Sequence, residues 1–226
     1  METIKRKNNK RKFTIITLAV MIGLSLTATI VLAAFTAQKT STATISFANG
    51  LTLELQALDA NSAIHINTSA GSQTGVFTFV TTNTTDLEGA TTVNGIKAKP
   101  INQNAYLGYQ VELVEVVSNA EQSVAGSWAY NSSSGVATFT PTGTKTAWKA
   151  EMTINKTNFT SVAPTANTQK IVAKTEAALT AGNFYNLFTQ IVFDGTTSGM
   201  IDDLASRSLR LKFEIKADTT NNISFT

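Results

Sequence analysis

The chain of 226 residues has no cysteine, one histidine and three prolines, and only 15% of its residues are charged. Without cysteine there is no disulfide framework, no thiol nucleophile and no thiolate metal site. A lone histidine, His65, excludes the two-histidine zinc motif of metalloproteases and leaves a Ser/His/Asp triad one available base. No G-x-S-x-G elbow accompanies it, and no glycine-rich phosphate loop occurs. His65 alternates with Ile64 and Ile66 and reads as a solvated strand residue. The shortage of charge is filled by Thr, Ser, Asn and Ala, which makes a polar but weakly charged surface. Pro100, Pro141 and Pro164 fall in segments that read as connections.

The net charge of +3 belongs to the amino terminus. Lys5, Arg6, Lys7, Lys10, Arg11 and Lys12 precede an uncharged apolar run from Phe13 to Phe35, and from there on acidic residues outnumber basic ones. A basic cluster, an apolar run and the small residues Ala33 and Ala34 together form an export signal, with cleavage expected before Phe35. The run is also long enough to stay as an uncleaved anchor, so residues 1–34 are a signal peptide or a membrane helix. The membrane is then touched only through residues 13–34. Residues 35–226 suit one domain able to bury its own core. Without a basic stripe, this domain has no nucleic-acid partner to expect.

Beyond Ala43 the hydrophobic period is two. Leu51, Leu53 and Leu55 alternate with Thr52, Glu54 and Gln56 to make a first core strand. Leu209, Leu211, Phe213 and Ile215 alternate with Arg210, Lys212, Glu214 and Lys216 to make the last. Between them, Val76–Thr82 reads as a central strand. Tyr109–Val117 reads as a strand whose phase slips near Val116, as at a bulge. Trp128 to Thr140 reads as a hairpin turning at Asn131–Gly135. Trp148–Ile154 alternates, Ile171–Ala178 is strand or short helix, and Phe184–Phe193 reads as a buried strand. Asn94-Gly95, Gly182-Asn183 and Asp194-Gly195 read as turns. Ser198–Ser206, with Asp202 and Asp203, is the one expected helical turn. Nine or ten strands without βαβ alternation predict an all-β, two-sheet, jelly-roll-like sandwich behind the N-terminal signal helix.

No catalytic set emerges. Asp194-Gly195-Thr196 departs from the calcium-loop spacing after its first position. Glu112 and Glu115 have no partner spacing that marks glycoside hydrolysis. The expectation is therefore neither enzyme nor cofactor, with no catalytic and no metal-binding residues. Trp128, Trp148, Tyr106, Tyr109 and Tyr130 could form a sugar-binding platform, although aromatics at strand spacing are more often packing. A monomeric surface adhesin or carbohydrate-binding module is the alternative they leave open.

The order Leu32-Ala33-Ala34-Phe35-Thr36, followed after a Thr/Ser-rich spacer by Phe47-Ala48-Asn49-Gly50-Leu51-Thr52-Leu53, resembles the start of TasA and camelysin-type proteins. Ser208–Ala217 looks like the closing strand of the same family. The resemblance implies an exported substrate of a SipW-type signal peptidase, secreted to the extracellular matrix or cell surface of a bacterium. It implies a jelly-roll subunit of biofilm-matrix fibres, whose partner is a further copy of itself. Subunits would be joined by donor-strand exchange, with residues 35–48 as the donor. Phe35, Ile45 and Phe47 are the apolar anchors of that segment, whose only charge is Lys39. Because such a contact runs head to tail it does not close, and cleavage would switch assembly on.

Overall fold

The computed structural model describes residues 42–58, 63–67, 74–80, 91–117, 120–143, 148–195 and 208–225. All belong to one compact unit, Thr40–Thr226. The export segment with Ala33, Ala34 and Phe35 lies outside these residues, as does the expected helical turn at Asp202 and Asp203.

The described chain is all-β. In order the strands are β1 (Thr42–Ser46), β2 (Thr52–Ala57), β3 (Ala63–Asn67), β4 (Thr74–Val80), β5 (Thr91–Pro100), β6 (Tyr106–Val117) and β7 (Ala120–Ser123). They continue as β8 (Gly126–Asn131), β9 (Val136–Pro141), β10 (Trp148–Ile154), β11 (Phe159–Pro164), β12 (Lys170–Thr175), β13 (Tyr185–Gly195) and β14 (Ser208–Asp218). One seven-stranded sheet runs β1-β2-β5-β13-β10-β9-β8; the other runs β11-β12-β6-β14-β4-β3, with β7 also paired to β6. Every pairing is antiparallel.

The described residues form fourteen strands, where nine or ten were expected. β5 was hidden because Asn94-Gly95, the signature of a hairpin turn, stands inside it. Pro100, Pro141 and Pro164 are not in connections but end β5, β9 and β11. Of Ile171–Ala178, the part up to Thr175 lies in strand β12 and the rest is irregular, with no helix. The register of β6 on β14 is unbroken from Tyr106 to Val116, so the phase slip is not a bulge. The bulge lies instead in β13, where the register against β5 shifts between Asn186 and Phe188. Leu187 and Phe188 are consequently both buried.

The two inner faces carry the core. Leu51, Leu53 and Leu55 on one sheet and Leu209, Leu211, Phe213 and Ile215 on the other are buried, as their alternation predicts. The rings of Phe188 and Phe213 stack across the layer at 5.3 Å, and Phe159 meets Tyr109 edge-on at 4.9 Å. Outside the second sheet the chain turns at Asp218, whose carboxylate accepts the Thr220 amide, and returns over β6. A Cβ at Gly108 would stand 2.6 Å from Ile223 Cγ2, so only glycine leaves room for that return.

Tyr109 ties the sheets together. Its buried hydroxyl donates to the Leu187 carbonyl at 2.8 Å. Burial, and secondarily Tyr130, raises its pKa well above the usual phenol value. Tyr109 thus contributes stability in full below the unfolded pKa of about 10, and loses it as pH climbs toward the folded value. Tyr109→Phe is expected to cost about 1–2 kcal/mol at neutral pH. It should also flatten the alkaline limb of the stability profile. Urea unfolding between pH 7 and 11 reads both effects.

Candidate functional site

The described residues hold no group of three or more His, Cys, Asp or Glu that could bind a metal ion. His65 lies in β3 opposite Thr78. Glu112 accepts a hydrogen bond from Ser123, and Glu54 is paired with Lys99. The aromatic platform does not form. Trp128, Trp148 and Tyr109 are buried, with Trp128 and Phe139 edge-on at 5.3 Å. Their alternation points them inward, where large rings fill the layer between the sheets. Among the described residues the exposed aromatic is Phe184, 40% accessible, with the ammonium groups of Lys97 and Lys99 at 4.5 and 4.6 Å from its ring centroid.

The feature that stands out is the first hairpin. Phe47 N donates to Leu51 O at 2.8 Å, and Gly50 N to Phe47 O at 3.0 Å, with Gly50 at φ +81°. This is a three-residue loop, a type I turn closed by a left-handed glycine. The Asn49 side chain accepts from Leu51 N at 3.1 Å and donates to Ala217 O at 3.0 Å, which fastens the loop to β14. The bond at Phe47 sets the phase of everything before it. Ile45 and Ala43 exchange bonds with Leu53 and Leu55, and the amides and carbonyls of Thr42, Thr44 and Ser46 point away from β2.

Side chains follow the same alternation. Ile45 and Phe47 are 1% and 4% accessible, while Thr42, Thr44 and Ser46 are exposed. The two described anchors of the expected donor segment are therefore seated in this chain's own core. Among the described residues β1 lies at the end of its sheet and pairs with β2 alone.

The remaining edges of known side-chain burial are each blunted. On β8 the outward amide of Trp128 is taken by Thr168 O at 2.7 Å. On β11 the Thr165–Lys170 bond turns position 164 outward, and Pro164 has no amide to offer there. The register of β11 is also broken between Phe159 and Ser161. The four-residue β7 carries Glu121, ion-paired to Arg210 at 3.0 Å. β1 has no charge, no proline and no register shift.

No protein-family model and no curated protein matches this sequence. Among solved structures, a putative kojibiose phosphorylase from human microbiome is 12% identical, with 78% of this chain and 19% of that one covered and a TM-score of 0.21. The Slr1438 protein from Synechocystis sp. PCC 6803 is 9% identical, with 77% and 57% covered and a TM-score of 0.13. Likenesses this faint carry no argument about fold or function.

Proposed function

We propose that the chain is a non-enzymatic structural protein, an exported jelly-roll-type subunit of an extracellular fibre. Each copy donates β1, with the residues before it, to the next. The observation that carries this reading is the seat of β1: an uncharged strand at the end of its sheet, hydrogen-bonded among the described residues to β2 alone and plugged into the core by Ile45 and Phe47. Burying those two side chains contributes roughly 1.5–3 kcal/mol each, and the slot is the same in every copy. Opening the turn at Ala48-Asn49-Gly50 would convert the docked hairpin into a donor. Exchange of identical contacts between copies running head to tail propagates without closing.

Own and exchanged docking share their contacts, so concentration decides between them. A short tether holds β1 at a roughly millimolar effective concentration, which keeps dilute protein single. Fibres require crowding at the site of release, or an existing end to add to.

The test uses the absence of native cysteine. Thr44 and Glu54 face each other at a non-hydrogen-bonded position, where Cβ atoms come close enough for a disulfide. Chains carrying Thr44→Cys and Glu54→Cys, oxidised after concentration, are expected to give a ladder of covalent multimers on a denaturing gel. Oxidised while dilute, they should lock as monomers that no longer form filaments until reduced. Bonds confined to single chains in a sample that shows filaments by electron microscopy would refute exchange of β1.

A further inference from the structure

We propose that Asn49 is a self-modification site: its side-chain amide is lost to attack by the Gly50 amide nitrogen whenever the first loop opens, and the product lacks the bond that secures the loop. The Gly50 nitrogen forms a bond to Asn49 Cγ, the Cγ–Nδ2 bond breaks, and ammonia leaves carrying the proton given up by Gly50. Water then opens the cyclic imide on either side, giving aspartate or isoaspartate at position 49. No reagent but water is consumed. The inference uses only the bonds of the loop, so it holds whether or not copies exchange β1.

The sequence contains two Asn-Gly steps, in which no side chain hinders the attacking nitrogen, and the structure treats them oppositely. Gly50 is exposed at the tip of the hairpin, and a Cβ placed on it would meet nothing within 4 Å, so the turn has room to rearrange into the imide. Gly95 is buried in mid-sheet, where a Cβ would lie 1.8 Å from the Phe188 carbonyl oxygen, and ring closure at Asn94 has no such room unless β5 parts from β13. In the closed loop both reacting groups of the Asn49-Gly50 step are engaged. Gly50 N donates to Phe47 O, the Asn49 side chain is held between Leu51 N and Ala217 O, and Asn102 Nδ2 donates to Gly50 O at 2.6 Å. Reaction therefore waits on local opening of an exposed turn, not on unfolding of the sandwich.

The same bonds say what conversion does. Leu51 N requires an acceptor and Ala217 O a donor, a pair that an amide satisfies and a carboxylate does not. Aspartate at position 49 sets an anionic oxygen against the Ala217 carbonyl. Isoaspartate adds a backbone atom to a turn whose length fixes the Phe47–Leu51 closure. Either product leaves the hairpin permanently unfastened from β14.

The experiment incubates full chain in mild detergent at mildly alkaline pH and follows both Asn-Gly peptides by mass spectrometry, with urea-unfolded chain as the reference. Folded, Asn49 is expected to convert several-fold more slowly than in urea, while Asn94 stays intact; in urea the two should convert together. Asn102→Ala, which frees the Gly50 carbonyl, should speed conversion at Asn49 by about threefold or more without moving Asn94. Asn49→Asp should raise exchange of the Phe47 amide, which is bonded to Leu51 O, by about tenfold. Chain aged to conversion gives the same reading if that variant does not fold. Folded Asn49 converting no faster than Asn94 would mean that the loop opens only with the whole fold, and overturns the proposal. Conversion as fast folded as unfolded, or indifferent to Asn102→Ala, overturns the control by the loop's own bonds. A Phe47 amide equally protected before and after conversion overturns the loss of the fastening.

Discussion

Ile45→Asp is expected to release β1 from its slot in every copy, with filaments lost at neutral pH. The side chain is 1% accessible on the inner face of the sheet, where a carboxylate would be cut off from water. An unpaired charge there disfavours docking by at least about 3 kcal/mol, comparable to all that the isoleucine contributes. Among the described residues the strand is hydrogen-bonded on one side only, so undocking is cheaper than unfolding the sandwich. Amide exchange reads this directly, because Leu53 and Leu55 bond to β1 whereas Glu54 and Gln56 face β5. Leu53 and Leu55 should lose protection while Glu54 and Gln56 keep it. Thr44→Asn, one residue away on the outer face, should leave all four protected. The sign of the pH effect is fixed by burial. Docking raises the new carboxyl above its unfolded value of about 3.9, so the docked form is favoured as pH falls through that value and is lost above it. A Leu53 amide that stays protected in Ile45→Asp at neutral pH would show that Ile45 does not anchor the strand.

Gly95→Ala should be the most damaging addition of a single methyl group. A Cβ at that position would lie 1.8 Å from the Phe188 carbonyl oxygen and 2.8 Å from the Thr189 carbonyl carbon, both backbone atoms. The position lies beside the irregular stretch of β13, where the register against β5 shifts between Asn186 and Phe188, and the Gly95 carbonyl accepts from Leu58 N at 2.9 Å. Backbone cannot step aside as a flexible side chain does. The sheet must part at its centre, at a cost of about 3 kcal/mol or more. Urea unfolding should show a midpoint shift at unchanged slope. A shift no larger than that of Gly143→Ala, where nothing lies within 4 Å and the cost is that of alanine at φ +79°, would refute the close approach.

The same glycine shows where the sequence could be read and where it could not. Strands with one wet face announced themselves by alternation, so Leu51 to Leu55, Trp148 to Ile154 and Leu209 to Ile215 were legible as inner-face rows. Asn94-Gly95 spelled a turn, yet it stands mid-strand beside the irregular stretch of β13, and no local pattern reports a distant backbone. β7 was invisible because it is four residues long and wholly exposed, without an apolar face to alternate. β11 was hidden by its weak burial pattern and terminal proline. At the candidate site, Ile45 and Phe47 were legible as a pair of anchors. What alternation could not decide was whose core they anchor, since the pattern is identical for a strand folded home or lent out. The hydrogen-bond phase of β1 was equally out of reach, because it is set by the turn at Gly50.

The placement of β14 has a consequence for timing. This last strand runs between β6 and β4, so the second sheet keeps a gap through its middle until residues 208–218 have left the machinery that makes the chain. The β2–β5, β5–β13 and β6–β14 partnerships likewise join segments far apart in sequence, which slows folding and lengthens the half-built interval. The loop fastening at Asn49 waits on Ala217, near the end of β14. The first hairpin is thus made well before the strand that secures it, and a chain that meets its neighbours before Ala217 is in place does so while that clasp is still undone.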